Sequence, residues 1–352
     1  MTNPSQAASG AGTELQDGKS VTEFYDARAA GRDGPLAAFA KRNRLWLGTL
    51  MFLVILLVVF TIASPAVFLS TRIYYSIGVT VPVAMVLVMP AVFLVTAGEI
   101  DLSFPSVMGL CGFFFAGSVA AGIDPLLAIA IAISGGVIVG FLVGVLVVYG
   151  KLSSLVATLG VNFILRGAMF VATDGNSIAL LELRGSAVRN AFAGDVFGVP
   201  AQLLWALGFA LICFVLYRWH RFGIHVHHIG DNPESARAMG INVDWTRCLL
   251  FAFMGLGAAL AGIISILTNY TWWPTSGDGL LLVVLAALFV GGTPTWGGVG
   301  TIFGAVLGAI IVTLMDVGVV AAGLSGFYTQ LISGVIIVIA LLGHRMQAAR
   351  VR

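Results

Sequence analysis

From Trp46 onward the chain is a succession of long apolar runs, and most of the charge in that part lies in the short stretches between them. That pattern constrains the fold more than any single motif. A helix needs about 20 apolar residues to cross the hydrocarbon of a bilayer, and backbone polar groups cannot stay unpaired there. The runs are too long and too uniformly apolar for barrel strands, which alternate at period two. Composition agrees. With 59% apolar and 10% charged residues, the chain lacks the polar surface of a soluble domain, in which about 25% of residues are charged. A soluble enzyme, a nucleic-acid binder and a disordered protein are excluded together.

The expected fold class is therefore an all-α integral membrane protein. Ten spans are predicted, at 46–64, 76–96, 103–122, 125–149, 153–173, 201–218, 248–268, 279–293, 301–321 and 326–343. The run at 279–293 is the shortest. With the N-terminus placed in the cytoplasm, fourteen Lys and Arg side chains fall inside. Only Arg72, Arg184 and Arg189 fall outside, and Arg166 lies within a span. That bias follows the positive-inside rule. It agrees with an even number of crossings and two cytoplasmic termini. Residues 1–45 are expected to be a largely disordered cytoplasmic tail, with a short helix near Pro35–Arg44. The membrane body at 46–343 contains an inward loop at 218–247, and 344–352 form a second cytoplasmic tail. No apolar core near the start suggests a cleaved signal peptide. The 44 glycines read as close helix packing and broken helices. Three scattered cysteines, Cys111, Cys213 and Cys248, give neither a disulfide framework nor zinc spacing.

Groups able to do chemistry are scarce. Asp17-Gly18-Lys19-Ser20 fails as a phosphate loop, because Thr13 stands where the first glycine belongs and no strand precedes it. No cofactor is expected in this chain. His225-Val226-His227-His228, with His220 nearby, lacks a partnered cysteine or carboxylate and reads as a solvated loop, not a metal site. No nucleophile–base constellation appears, so no catalytic residue is assigned.

Arg166 and Asp316 are the clear ionisable side chains within the spans, and Glu99 and Asp101 sit at the junction of two spans. Asp101 reads as a carboxylate at a helix N-terminus, with Ser103 helping to cap it. It also reads as a pathway or gate residue, because the backbone is broken beside it. Arg166 needs a buried partner or a wet cavity. An ion pair or carbonyl clamp would satisfy it; alternatively Asn162, four residues earlier on the same face, joins it as a pair of donors. Trp272 and Trp273 are expected in an interfacial belt. Gly136, Gly140 and Gly144 form one ladder at helical spacing, and Gly300, Gly304 and Gly308 another.

The longest inward loop carries a helix signature. Asn232 suits the N-cap, Pro233 the first helical position, and Glu234 the positive end of the dipole. Gly240 suits a left-handed stop. A helix of about seven residues is not stable alone, so the spans or a partner must hold it, as a docking element would be held.

Gly230-Asp231-Asn232-Pro233-Glu234-Ser235-Ala236-Arg237-Ala238-Met239-Gly240-Ile241-Asn242-Val243 resembles the coupling-loop signature of bacterial ABC-importer permeases for simple sugars, the ribose/xylose/arabinose type. Three more blocks match in order. Thr96-Ala97-Gly98-Glu99-Ile100-Asp101-Leu102-Ser103 is similar to that family's Gly-Gly-Ile-Asp-Leu-Ser block. Ser153-Ser154-Leu155-Val156-Ala157-Thr158-Leu159-Gly160, with Arg166-Gly167, is similar to a second. Gly291-Gly292-Thr293-Pro294-Thr295-Trp296-Gly297-Gly298-Val299-Gly300-Thr301 is similar to a third. The resemblance covers about residues 47–342.

It implies a permease in the bacterial inner membrane that imports a monosaccharide or related polyol. A second copy or a paralogue completes it. Two cytoplasmic ATPases bind the ATP-Mg, and a periplasmic sugar-binding protein delivers the cargo, with 174–200 as its expected contact. By the same resemblance, coupling to the ATPase falls to Asp231, Asn232, Glu234, Ala236, Arg237, Gly240 and Ile241. Glu99 departs from the family's glycine, Phe104-Pro105 from its Val-Gly, and Gly277–Leu282 from a more acidic stretch. Two competing readings stay open. An ion-driven secondary transporter would need Asp316 with Arg166 as its titratable pair. A purely structural subunit would show no transport defect on replacing Arg237.

Overall fold

The computed structural model describes residues 44–321, 323 and 325–349. The tail predicted over 1–45 therefore lies outside the described residues, apart from its last two, which open the first helix. The chain order is α1 (Arg44–Ala63), α2 (Pro65–Phe68), α3 (Thr71–Thr96), α4 (Phe104–Ala120), α5 (Pro125–Tyr149) and α6 (Ser154–Thr173). A segment follows that holds β1 (Ile178–Ala179), α7 (Ala187–Ala193), β2 (Asp195–Val196) and β3 (Val199–Pro200). Then come α8 (Ala201–Arg218), α9 (Arg221–Asp231), α10 (Pro233–Ala238) and α11 (Val243–Asn269). The chain continues through β4 (Thr271–Trp272), α12 (Leu280–Val290), α13 (Ile302–Ala321) and α14 (Phe327–Ala349).

Helix starts follow local chemistry. Asp124 accepts hydrogen bonds from the N–H groups of Leu126 and Leu127 ahead of Pro125, so α5 begins with its free donors satisfied. Asn242 does the same for Trp245 at the start of α11. Among the described residues, α1, α3, α5, α6, α8, α11 and α13 are long and apolar enough to cross a membrane. Apolar helices α4 and α12, and the apolar stretch Gln330–Ala340 of α14, are shorter. Strand pairing among the described residues consists of two-residue antiparallel ladders, β1 with β4 and β2 with β3. The chain is an all-α integral membrane protein.

Helices α3 and α11 form the centre, with 78% and 72% of their apolar windows buried. The first glycine ladder is the seam between α5 and α11. A Cβ at Gly136 would stand 2.5 Å from the Gly255 carbonyl oxygen, and one at Gly144 2.8 Å from the Cys248 Cα. Lipid tails are as apolar as leucine, so helices associate there through close van der Waals contact, which small residues permit. The second ladder is shorter than its spacing suggests. Gly304 and Gly308 lie on α13, against the backbones of Gly291 and Ala287, but Gly300 precedes the helix. It packs instead where a Cβ would stand 2.5 Å from both the Thr96 Oγ1 and the Tyr217 hydroxyl.

The inward loop differs from the expected single short helix. Its histidine tract is helical, in α9. Gly223, Val226 and Ile229, spaced by three, are buried along one face while His228 is exposed. At the other end of the chain, α14 runs on through the predicted tail as far as Ala349.

Candidate functional site

Two clusters bring the singled-out residues together. The first lies at mid-depth. Beyond α11 the chain turns back at Tyr270 and descends along α4. The buried Trp272 indole donates to the Gly109 carbonyl at 2.8 Å, so Trp272 is a core residue and not part of an interfacial belt. Trp273 is half exposed. Further down, the Ser276 carbonyl packs on Gly109 and Gly277 packs on the backbone of Pro105. Gly262 of α11 packs on Met108 at the same level. Segment 273–279 thus reaches roughly 10 Å below the end of α11, at 1.5 Å per residue. Helix α12 starts from that depth, which is why the predicted span at 279–293 is short.

Arg166 of α6 holds this segment in place. Its Nη1 donates to the carbonyls of Pro274 and Ser276, the latter at 3.0 Å. Its Nη2 lies 2.6 Å from Asp278 Oδ1. The clamp is the arrangement found for Arg166; Asn162 beside it accepts from the Ser106 hydroxyl through its Oδ1 at 2.6 Å. Asp278, missed by sequence reasoning, is 59% exposed. Asp316 of α13 forms no ion pair among the described residues, and Arg166 is committed to Asp278, so the two are not a pair.

The second cluster gathers at the end of the molecule that carries α9 and α10. Asn232 Oδ1 accepts from the N–H groups of Glu234 at 2.9 Å and Ser235 at 3.0 Å, which starts α10. Gly240, at φ +84°, ends it in the left-handed region. Ala236 is buried, Ile241 is half-buried, and Asp231 and Glu234 are exposed. Arg237 is paired with Asp244 at 2.8 Å. Immediately behind, three backbones cross. The Gly298 N–H donates to the Thr96 carbonyl at 2.8 Å, and a Cβ on Gly230 would run into both groups. The Thr96 and Tyr217 hydroxyls lie 2.8 Å apart, and His227 Nδ1 lies 2.9 Å from the Gly298 carbonyl. Tyr217, His227 and Gly298 were not singled out as site residues. The signal for Gly298 was present in its glycine-rich block, but not its partner.

Between the clusters runs the linker Ala97–Ser103. Asp101 Oδ1 accepts from both the N–H and the hydroxyl of Ser103 at 2.6 Å, which fixes the turn into α4. Burial pushes its carboxyl above the ordinary carboxylate range, and the Ser103 bonds work against that shift. Ile100 N–H donates to Ser154 Oγ and Leu102 N–H to Thr158 Oγ1, which ties the linker to the first turns of α6. Glu99 Oε1 lies 3.2 Å from Arg247 Nε. Among the described residues no group of three His, Cys, Asp or Glu side chains could hold a metal ion.

A family model described as branched-chain amino acid transport system / permease component matches residues 73–341. The chain belongs to that permease family. Similar relatives include the ribose import permease protein RbsC of Escherichia coli (strain K12), 30% identical over 84% of this chain and 92% of its own. The D-allose transport system permease protein AlsC of the same organism is 32% identical over 85% and 91%. The autoinducer 2 import system permease protein LsrC of Salmonella paratyphi B is 30% identical over 85% of each chain. The permease is a transport subunit and not an enzyme. The likeness runs through both clusters, from Thr96 to Gly298.

Proposed function

We propose that this permease is the membrane subunit of an ATP-driven importer for a monosaccharide or related polyol in the bacterial inner membrane. The observation that carries the reading is α10. It is a capped, largely exposed six-residue helix that backs directly onto the span ends, on a chain with no nucleotide motif of its own. A helix this short needs a supporting surface; the span ends supply one on its buried side, and its exposed side suits a cytoplasmic ATPase that binds ATP-Mg. The relatives named for ribose and allose import support a polyhydroxylated cargo. Arg166 is neutralised by Asp278, so the mid-depth cluster suits a neutral solute better than an ion.

In this reading α9, α10 and both termini face the cytoplasm. A second copy or a paralogue completes the pathway. A periplasmic binding protein docks on 174–200, where Phe197 is fully exposed at the β2–β3 turn. A carboxylate at membrane depth does not face lipid, so the exposed side of 273–279 lines the aqueous pathway. Arg166 and Asn162 stand behind it. Glu99 and Asp101 belong to the joint at its cytoplasmic end, and Asp316 is assigned to the pathway only by its place in a span.

Purified permease, ATPase and binding protein in proteoliposomes test the reading. Uptake is expected to require ATP and to survive collapse of the proton gradient; the opposite result would establish the ion-coupled alternative. Within that assay, the double reversal Glu234→Lys/Arg237→Glu is expected to cut uptake about tenfold while leaving membrane insertion intact. The Arg237–Asp244 pair it disrupts is exposed on both sides and contributes about 0–1 kcal/mol, so a folding defect does not account for such a loss. Full uptake in the double variant would remove α10 as the docking element.

A second change probes the clamp. Asp278→Asn keeps the shape and removes the charge opposite Arg166. Uptake is expected to fall about tenfold, with basal ATP hydrolysis unchanged. Uptake equal to the parent's would show that the carboxylate is not needed in the pathway.

A further inference from the structure

Helix α11 opens with two charged side chains three residues apart, Asp244 and Arg247, which such spacing places on one face. Each is held from a different side. Arg237 of α10 grips Asp244 at 2.8 Å, with both side chains about half exposed. One turn further on, Arg247 meets Glu99 at 3.2 Å, and these side chains are only 23% and 11% exposed. The four groups, together with Lys151, line a pocket of about 320 Å³ at the end of α5. Among the described residues no other ionisable side chain lines it.

Glu99 sits in the linker that breaks α3 from α4. Gly98, at φ +84°, makes the turn into it. On its far side the linker is tied to α6 through Ser154 and Thr158, and α6 carries Arg166, which clamps the mid-depth segment. The first turn of α11 is therefore gripped by the docking helix on one side and by the broken joint on the other. The inner pair is the less exposed of the two, so salt screens it less and water competes less for it.

We propose that the Glu99–Arg247 ion pair is the contact that passes movement of α10 to the linker, and through it to α6. Glu99 and Arg247 are then positioning residues for transport and touch no cargo. This inference rests on the importer reading above. Coupling of this kind needs one two-state element biased from both ends, and the linker with the first turn of α11 has the required attachments.

The test uses the assembled importer in proteoliposomes and reads sugar taken up per ATP hydrolysed. Glu99→Gln and Arg247→Gln are each expected to lower that ratio about tenfold. The swapped pair Glu99→Arg/Arg247→Glu is expected to recover most of it. A merely structural role would change the amount of assembled complex and its melting temperature but would leave the ratio alone. A ratio within about twofold of the parent in both single variants, below the usual range of coupling effects, overturns the proposal. A swap no better than the single variants does so too. Should a neutral variant fail to reach the membrane, the swap carries the test alone: an inserted swap with the parent's ratio supports the contact, and one with a low ratio rejects it. If the parent complex shows no ATP-driven uptake, the importer reading falls; ATP-driven uptake with unchanged ratios removes only this contact.

Discussion

Gly255→Val is expected to eliminate the folded permease from the membrane. Gly255 lies at the seam of α5 and α11, where a Cβ would run into the Gly136 carbonyl and crowd the Gly140 Cα. Both obstacles are backbone, so no rotamer change relieves them, and the helices must part. In a bilayer that loss has no hydrophobic compensation, because separated helices simply meet lipid. Overpacking costs about 1–3 kcal/mol, occasionally more, where relaxation is available; with no side chain to yield, the cost here belongs at or above the top of that range. Gly160→Ala is the control, since nothing lies within 4 Å of a Cβ there. Membrane-fraction yield and the melting temperature in detergent check both variants. A well-folded Gly255→Val protein melting with the parent would remove the seam as the scaffold's main contact.

Gly230→Ala is expected to spare insertion and abolish most transport. Its Cβ would run into the Thr96 carbonyl, which accepts the Gly298 N–H. The crossing opens, and His227 loses its fixed distance to the Gly298 carbonyl. Because the crossing lies at the helix ends and not along a seam, the transmembrane body should persist. Uptake is expected to fall about 10- to 100-fold, within the range of coupling between sites, with ATP hydrolysis no longer stimulated by the loaded binding protein. Parent-level uptake in this variant would mean that the crossing carries no movement.

What the sequence revealed was local. The cap at Asn232, the stop at Gly240 and the contact of Asp101 with Ser103 are decided within a few residues, and each was legible as a residue type at a fixed offset. Apolar run length located the long helices, because burial in lipid is all that such a run must satisfy. Depth was not legible. The α12 run is as apolar as the others, yet it begins well short of the end of α11 because the preceding segment folds back against α4. Partners far apart in the chain were equally hidden. Arg166 could be seen to need a counter-charge, but nothing local pointed to Asp278; Glu99 looked like an isolated departure until Arg247 stood beside it. Trp272 was misplaced for the same reason, since an aromatic near a span end looks interfacial unless the chain is known to turn inward. The histidine tract hid an amphipathic helix, because its apolar face is marked by Phe222, Val226 and Ile229 with histidines between them.

The descending stretch before α12 has a mechanical consequence. Elsewhere the barrier consists of helices, whose backbone ladders must break before they can be displaced. Here the irregular segment 273–279 is held by the Arg166 guanidinium and, beside it, by the Trp272 indole N–H and the β1–β4 ladder. Exchanging a few side-chain bonds is enough to shift it, so the wall is softest at that spot. Cargo size can then be retuned there by substitution while the rigid frame around it stays the same.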